Sequence, residues 1–172
     1  MKSERPKSRL KCCFERSANV SITVEDASVK DLDKLHEIEQ KCFGTEAFTR
    51  RQIASLLMGY NTVSLVAKEN DDIIGFIIGT IEFEGSIPVG HILTIDVLPS
   101  RRKKGVGVSL LEGLEGIFKT RKAVQARLEV REGNAEALSL YGKTGYKKVG
   151  RLKGYYGHTD GLLLMKRLGK LQ

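Results

Sequence analysis

The sequence has no metal-type cysteine spacing, no long apolar run and no leader-like apolar core near its start. Its three cysteines, Cys12, Cys13 and Cys42, form an odd set, and none has histidine or further cysteine at the interval a zinc site requires. No metal is expected, and the thiols are expected to be free in a reducing cytosol. No apolar stretch approaches the roughly 20 residues that cross a bilayer. The opening MKSERPKSRLKCCFER also lacks the continuous apolar core of an export signal. The expectation is a soluble, cytoplasmic protein without membrane contact. Negative charge is the scarcer sign, 21 Asp plus Glu against 29 Lys plus Arg, for a net of +8. That balance suits an acidic partner such as nucleic acid, a phosphate-bearing cofactor or an acidic peptide, and does not choose among them.

At 172 residues the chain has the length of one ordinary domain. Residues 1–18 hold half of the net charge, six cations against two acids, and no periodic apolar positions. They read as a basic, mobile tail, a solvated extension for which docking on RNA or ribosome is the less common alternative. The domain is expected over 19–172. Ser21–Glu25 alternates as a strand, and Ser28 caps a helix with Leu32, Leu35, Ile38 and Cys42 on one face. A second short helix is predicted over Arg50–Met58. Thr62–Glu69 and Ile73–Glu84 are rich in Val, Ile and Phe, and Asn70-Asp71-Asp72 joins them as an antiparallel hairpin. A strand over Gly90–Leu98 leads to a helix from about Gly105, where Leu110, Leu111, Leu114, Ile117 and Phe118 recur at helical spacing. A strand over Val124–Val130, a helix opening near Asn134, and strands around Lys147–Arg151 and Leu162–Lys166 complete the chain. The order is β α α β β β α β α β β, an α/β fold with a mixed central sheet flanked by helices and no internal repeat.

The junction after the Gly90–Leu98 strand is unusual. Arg101, Arg102, Lys103 and Lys104 crowd against Gly105 and Gly107, although a strand-to-helix turn needs only one or two permissive residues. Free N–H groups at a helix start, together with the helix dipole, bind anions. Glycine lets a pyrophosphate approach the main chain, and the cations add attraction and direct contacts. Two familiar phosphate binders are disfavoured: there is no Gly-x-x-x-x-Gly-Lys-Ser/Thr loop, and the third glycine of a dinucleotide fingerprint is missing. Taken alone, the segment is equally compatible with a glycine-rich turn carrying solvated lysines.

Arg102-Lys-Lys-Gly105-Val-Gly107 resembles the Gln/Arg-x-x-Gly-x-Gly/Ala acetyl-CoA loop of the GNAT family of N-acetyltransferases. Leu128-Glu-Val-Arg131, Asn134, Ala137, Leu140-Tyr141 and Gly145-Tyr146 resemble the strand and helix that follow that loop in the family. The likeness covers about Ile22 to Leu168, including the element order. Gly90-His91-Ile92 and Lys153-Gly-Tyr-Tyr156 bring it nearest the branch that acetylates protein N-termini, including ribosomal-protein alanine acetyltransferases and archaeal relatives. Asp96 and Thr159-Asp160-Gly161 depart from that branch, which carries a small residue and Glu-Asp-Ala there.

The resemblance implies acetyl-CoA as cosubstrate. Its pantetheine arm would lie along Ile95, Asp96 and Val97, with an amide near Val97 as oxyanion donor. Its phosphates would lie at Arg102, Lys103, Lys104, Gly105, Val106, Gly107 and Val108, with Asn134 and Tyr141 also touching it. Acetyl transfer to an amine calls for a base and an acid. The resemblance makes Tyr141 the acid and Glu129, twelve residues earlier, the first candidate base, ahead of His91 and then Glu46. Glu46, Tyr155 and Tyr156 are implied on the substrate side, the two tyrosines at a hairpin tip. Each of these residues also has an ordinary reading as packing, capping or solvated surface. The expected reaction is acetylation of the N-terminal α-amine of proteins or peptides, ribosomal ones among them. The alternatives are acetylation of a polyamine or other small amine, and a non-catalytic acetyl-CoA or nucleic-acid binder.

Overall fold

Turn chemistry and apolar alternation account for most element boundaries. The computed structural model describes residues 21–169, so the expected basic tail over 1–18 lies outside the described residues. After β1 (Ile22–Asp26), Ser28 and Asp31 form a capping box that starts a short 3-10 turn running into α1 (Leu32–Phe43). A second capping box, Thr49 with Gln52, opens α2 (Arg50–Met58). β2 (Thr62–Glu69) and β3 (Asp72–Glu84) pair with Glu69 opposite Asp72. Asn70 and Asp71 between them both take positive φ, as the two-residue turn of a tight hairpin requires. β4 (Ile87–Val97), α3 (Val106–Thr120), β5 (Gln125–Arg131), α4 (Ala135–Lys143), β6 (Lys147–Tyr156) and β7 (Thr159–Arg167) follow.

The seven strands form one sheet in the order β1-β2-β3-β4-β5-β7-β6. Every pairing is antiparallel except β4 with β5. On one face α3 lies over β1–β4, and its Leu110, Leu111, Leu114 and Phe118 share one core with Ile77, Ile81, Ile92, Leu128 and Leu164 of the sheet. The Phe118 ring fits because Gly79 and Gly90 have no side chain: a Cβ at Gly90 would come within 2.1 Å of it. Truncating a buried phenylalanine of this kind typically costs about 3–5 kcal/mol. On the other face Leu32, Leu35, Ile38 and Ile53 of α1 and α2 pack on Val66, Ile73, Phe76 and Ile78. These helices cover only the β2–β4 part of that face. Among the described residues no helix is long and apolar enough to cross a membrane.

The expected element order holds, and the differences are in length. β4 begins at Ile87, and β6 runs to Tyr156. Tyr155 and Tyr156 therefore end a strand, and Gly157 and His158 form the tip between it and Thr159. The positive φ of Gly154 is absorbed inside β6, where its N–H donates to the Asp160 carboxylate at 2.8 Å. The strand preference of the two aromatics then carries the pairing onward.

Candidate active site

The site begins where two strands separate. β4 and β5 pair only from Val89 to His91 against Gln125 to Arg127, although β4 continues to Val97 and β5 to Arg131. Leu93 has no partner across the β3–β4 register shift, which bulges β4 where it departs. Leu98 N–H donates to Ile74 C=O on the β3 side at 2.9 Å. By strand alternation, the Ile95 and Val97 amides turn toward the gap that β5 has left.

The start of α3 stands at the mouth of this gap. Gly105 is left-handed (φ 86°) and Val106 begins the helix without a side-chain cap. The first intrahelical bond is Ser109 N–H to Gly105 C=O, so the amides of Val106, Gly107 and Val108 are unspent inside the helix. Gly107 faces Ile95 of β4 and Leu140 of α4. The four cations divide. Arg101 pairs with Glu69 at 2.5 Å. Arg102 spans the mouth, its Nε donating to Val97 C=O and its guanidinium to Glu136, both at 3.0 Å. Lys103 and Lys104 are exposed and unpaired among the described residues. Two of the four cations thus fix the turn, and two remain for an anion. An open amide edge leading to an uncapped helix start, with lysines beyond it, fits a thioester carried on a long amide arm that ends in phosphates.

Two predicted residues, His91 and Glu129, meet at the other end of the gap. His91 lies between two carboxylates, Nε2 at 2.7 Å from Glu129 and Nδ1 at 2.8 Å from Glu82. The bond to Glu129 is the main cause holding the imidazole above its ordinary range. Glu82 in turn takes Arg127, which also reaches Glu84. Tyr141 is buried on α4, its ring edge-on to Tyr146 at 5.5 Å. Burial and then the nearby Asp96 push its phenol well above the usual tyrosine range, so it keeps its proton. Asn134 caps α4 by accepting from Ala137 N–H at 3.1 Å.

The remaining predicted residues form the rim. Tyr156 donates to Glu129 C=O at 3.1 Å, and Arg131 lies 5.0 Å over its ring. Arg131 also pairs with Glu46 at 2.5 Å, which ties the turn after α1 to the β6–β7 hairpin. Tyr155 stands edge-on to Tyr156 and packs on Gly161.

Asp96 is expected beside the cofactor arm only through the main chain of its strand. Its side chain does not face the gap but is sealed on the α1 side, where it accepts from Thr94 at 2.8 Å beside Glu39. Glu39 accepts from Phe48 N–H at 2.9 Å, and the remaining oxygen of each carboxyl has no partner among the described residues. Burial raises both, Glu39 to about 8 and Asp96 to about 6, so the pair retains a proton that the unfolded chain releases near pH 4. Folded stability therefore falls as pH rises from about 4 toward 8. Asp96→Asn keeps the Thr94 hydrogen bond and removes one buried charge. Its Tm relative to wild type is expected to improve between pH 5 and pH 8 by about 2–4 °C for each kcal/mol recovered. A difference that stays constant with pH would contradict the shared proton.

Sequence reasoning did not single out Glu82, Arg127 or Glu39. The available signal was the switch to strict alternation at Thr80-Ile-Glu82-Phe-Glu84, which puts the two acids on the His91 face. For Glu39 there was none, because an acid on a helix is ordinarily solvated.

The model of the acetyltransferase (GNAT) family matches residues 32–146. The N-alpha-acetyltransferase of Saccharolobus solfataricus is 30% identical over 162 residues, 89% of this chain and 96% of that protein. Among solved structures, Ard1 from Thermoplasma volcanium superposes with a TM-score of 0.77 at 25% identity, covering 87% of this chain and 99% of that one. A ribosomal-protein-alanine N-acetyltransferase from Escherichia coli reaches 0.78 at 22% identity, over 88% and 96% of the two chains. With a family match over two thirds of the chain, and relatives aligned along nearly its whole length, the protein belongs to the GNAT acetyltransferase family.

Proposed function

We propose that residues 19–172 are an acetyl-CoA-dependent acetyltransferase domain acting in the cytoplasm on the N-terminal α-amine of proteins or peptides, ribosomal proteins among them. The observation that carries this reading is the parting of β4 from β5, which leaves an open binding edge along β4 and the candidate base Glu129 held by His91 where the strands part. The name shared by the archaeal relatives supports the α-amine as acceptor.

Acetyl-CoA supplies an acetyl group activated as a thioester. Val97 N–H is available to a developing oxyanion at the gap. Glu129 takes a proton from the incoming ammonium, directly or through one water, and Tyr141 holds a proton for the departing sulfur. Both His91 nitrogens are engaged by carboxylates and Glu46 is committed to Arg131, which leaves neither turned to an incoming amine as base. An α-amine suits so modest a base, because its pKa of about 8 lies well below the roughly 10.4 of lysine. A polyamine suits the site less well: Glu46, Glu82, Glu84 and Glu129 are each already paired with a cation.

Gly107→Glu tests the binding edge. The new Cβ would meet the tip of Leu140 at 3.3 Å and that of Ile95 at 3.8 Å, both ends of flexible side chains, so the fold is expected to survive while the carboxylate faces the site meant for phosphate. Calorimetry is expected to show loss of acetyl-CoA binding, together with loss of peptide acetylation. Unchanged affinity in a folded variant would overturn the assignment.

A further inference from the structure

We infer that Glu82 is a positioning residue for the catalytic base, holding His91 charged and its Nε2–H turned onto Glu129. The inference rests on the function proposed above. Glu82 lies on β3 diagonally across from His91, whose direct partners are Thr80 on β3 and Arg127 on β5. Both of its oxygens are engaged: Oε1 by His91 at 2.8 Å and Thr80 at 3.3 Å, Oε2 by Arg127 at 2.5 Å. Arg127 is itself held by Glu84 at 2.9 Å, so Glu82 is tied to two strands besides its own backbone.

The charged groups about His91 are Glu82 and Glu84 of β3 and Arg127 and Glu129 of β5. An imidazole between two ionised carboxylates must carry both protons, since a lone pair facing either would repel it. Burial works against the charge on Glu82, and the hydrogen bonds from His91 and Arg127 outweigh it and hold the carboxyl below its ordinary range. Without that charge, neutral His91 would keep one N–H. If that proton stayed on Nδ1, a lone pair would face Glu129 and the base would lose its orientation. Glu82 thus acts on the amine only through His91 and Glu129.

Glu82→Gln keeps a hydrogen-bond acceptor for Nδ1–H and removes the charge. By NMR, the His91 titration midpoint is expected to move to lower pH. The ratio of variant to wild-type kcat/KM is expected to fall as pH rises, a comparison in which titration of the substrate amine cancels. Glu82→Asp, which retains the charge, is expected to restore much of both. An unmoved His91 titration, or a loss of kcat/KM equal at every pH, would overturn the inference. A wild-type protein that acetylates no α-amine while His91 still shifts in Glu82→Gln would instead refute the proposed reaction and leave the electrostatic link intact.

Discussion

Glu129→Gln is expected to lower kcat on an N-terminal peptide by about 10²- to 10⁴-fold, the span of a lost general base, with acetyl-CoA affinity within a few-fold of wild type. The substitution preserves size and leaves an oxygen that can accept from His91 Nε2, 2.7 Å away. Tyr156 donates to the Glu129 main-chain carbonyl and is untouched. What disappears is a carboxylate that has one oxygen on His91 and the other not bound to a cation among the described residues. His91→Ala should do less, because it removes the group that orients the base and leaves the base itself. Near-wild-type turnover in Glu129→Gln across the pH range, with activity abolished in a folded His91→Ala protein that still binds acetyl-CoA, would exchange the two roles.

Tyr141→Phe is the second large effect. The ring stays in its buried place against Tyr146, so the fold and acetyl-CoA binding should persist. Turnover should drop by about 10²- to 10⁴-fold because only the proton donor is gone. The hydroxyl has no hydrogen-bond acceptor among the described residues, unlike Tyr156, which donates to a carbonyl. A buried phenol kept protonated and without a structural partner is suited to donate to a group that arrives from outside. Unchanged kcat would return Tyr141 to a packing role.

Where local chemistry decides, the sequence could be read directly. Asn70-Asp71 marked a hairpin because only residues that tolerate positive φ make that turn. Arg50–Met58 and Thr62–Glu69 follow from a cap and from apolar alternation. The cation-rich turn before Gly105 and Gly107 was visible, but the division of its cations was not. Arg101 turns to Glu69, a residue 32 positions away, and no local rule gives that pairing. Asp96 likewise has a side chain whose face depends on the bulge at Leu93, one extra residue that reverses the alternation along β4. The Glu82–His91–Glu129 row is a contact among three strands, each of which reads as an ordinary half-polar strand alone. The polar row emerges only when the register brings their matching faces together.

The most direct measurement uses one peptide with a free α-amine and an internal lysine, mixed with equimolar spermidine, limiting acetyl-CoA and the full-length protein. Tandem mass spectrometry then locates every acetyl group. An N-terminal acetyltransferase built as described is expected to place the acetyl on the α-nitrogen well before the lysine or spermidine reacts, and to lose that product in Glu129→Gln. Faster acetylation of spermidine or of the lysine ε-amine, across a set of different N-terminal residues, would contradict it.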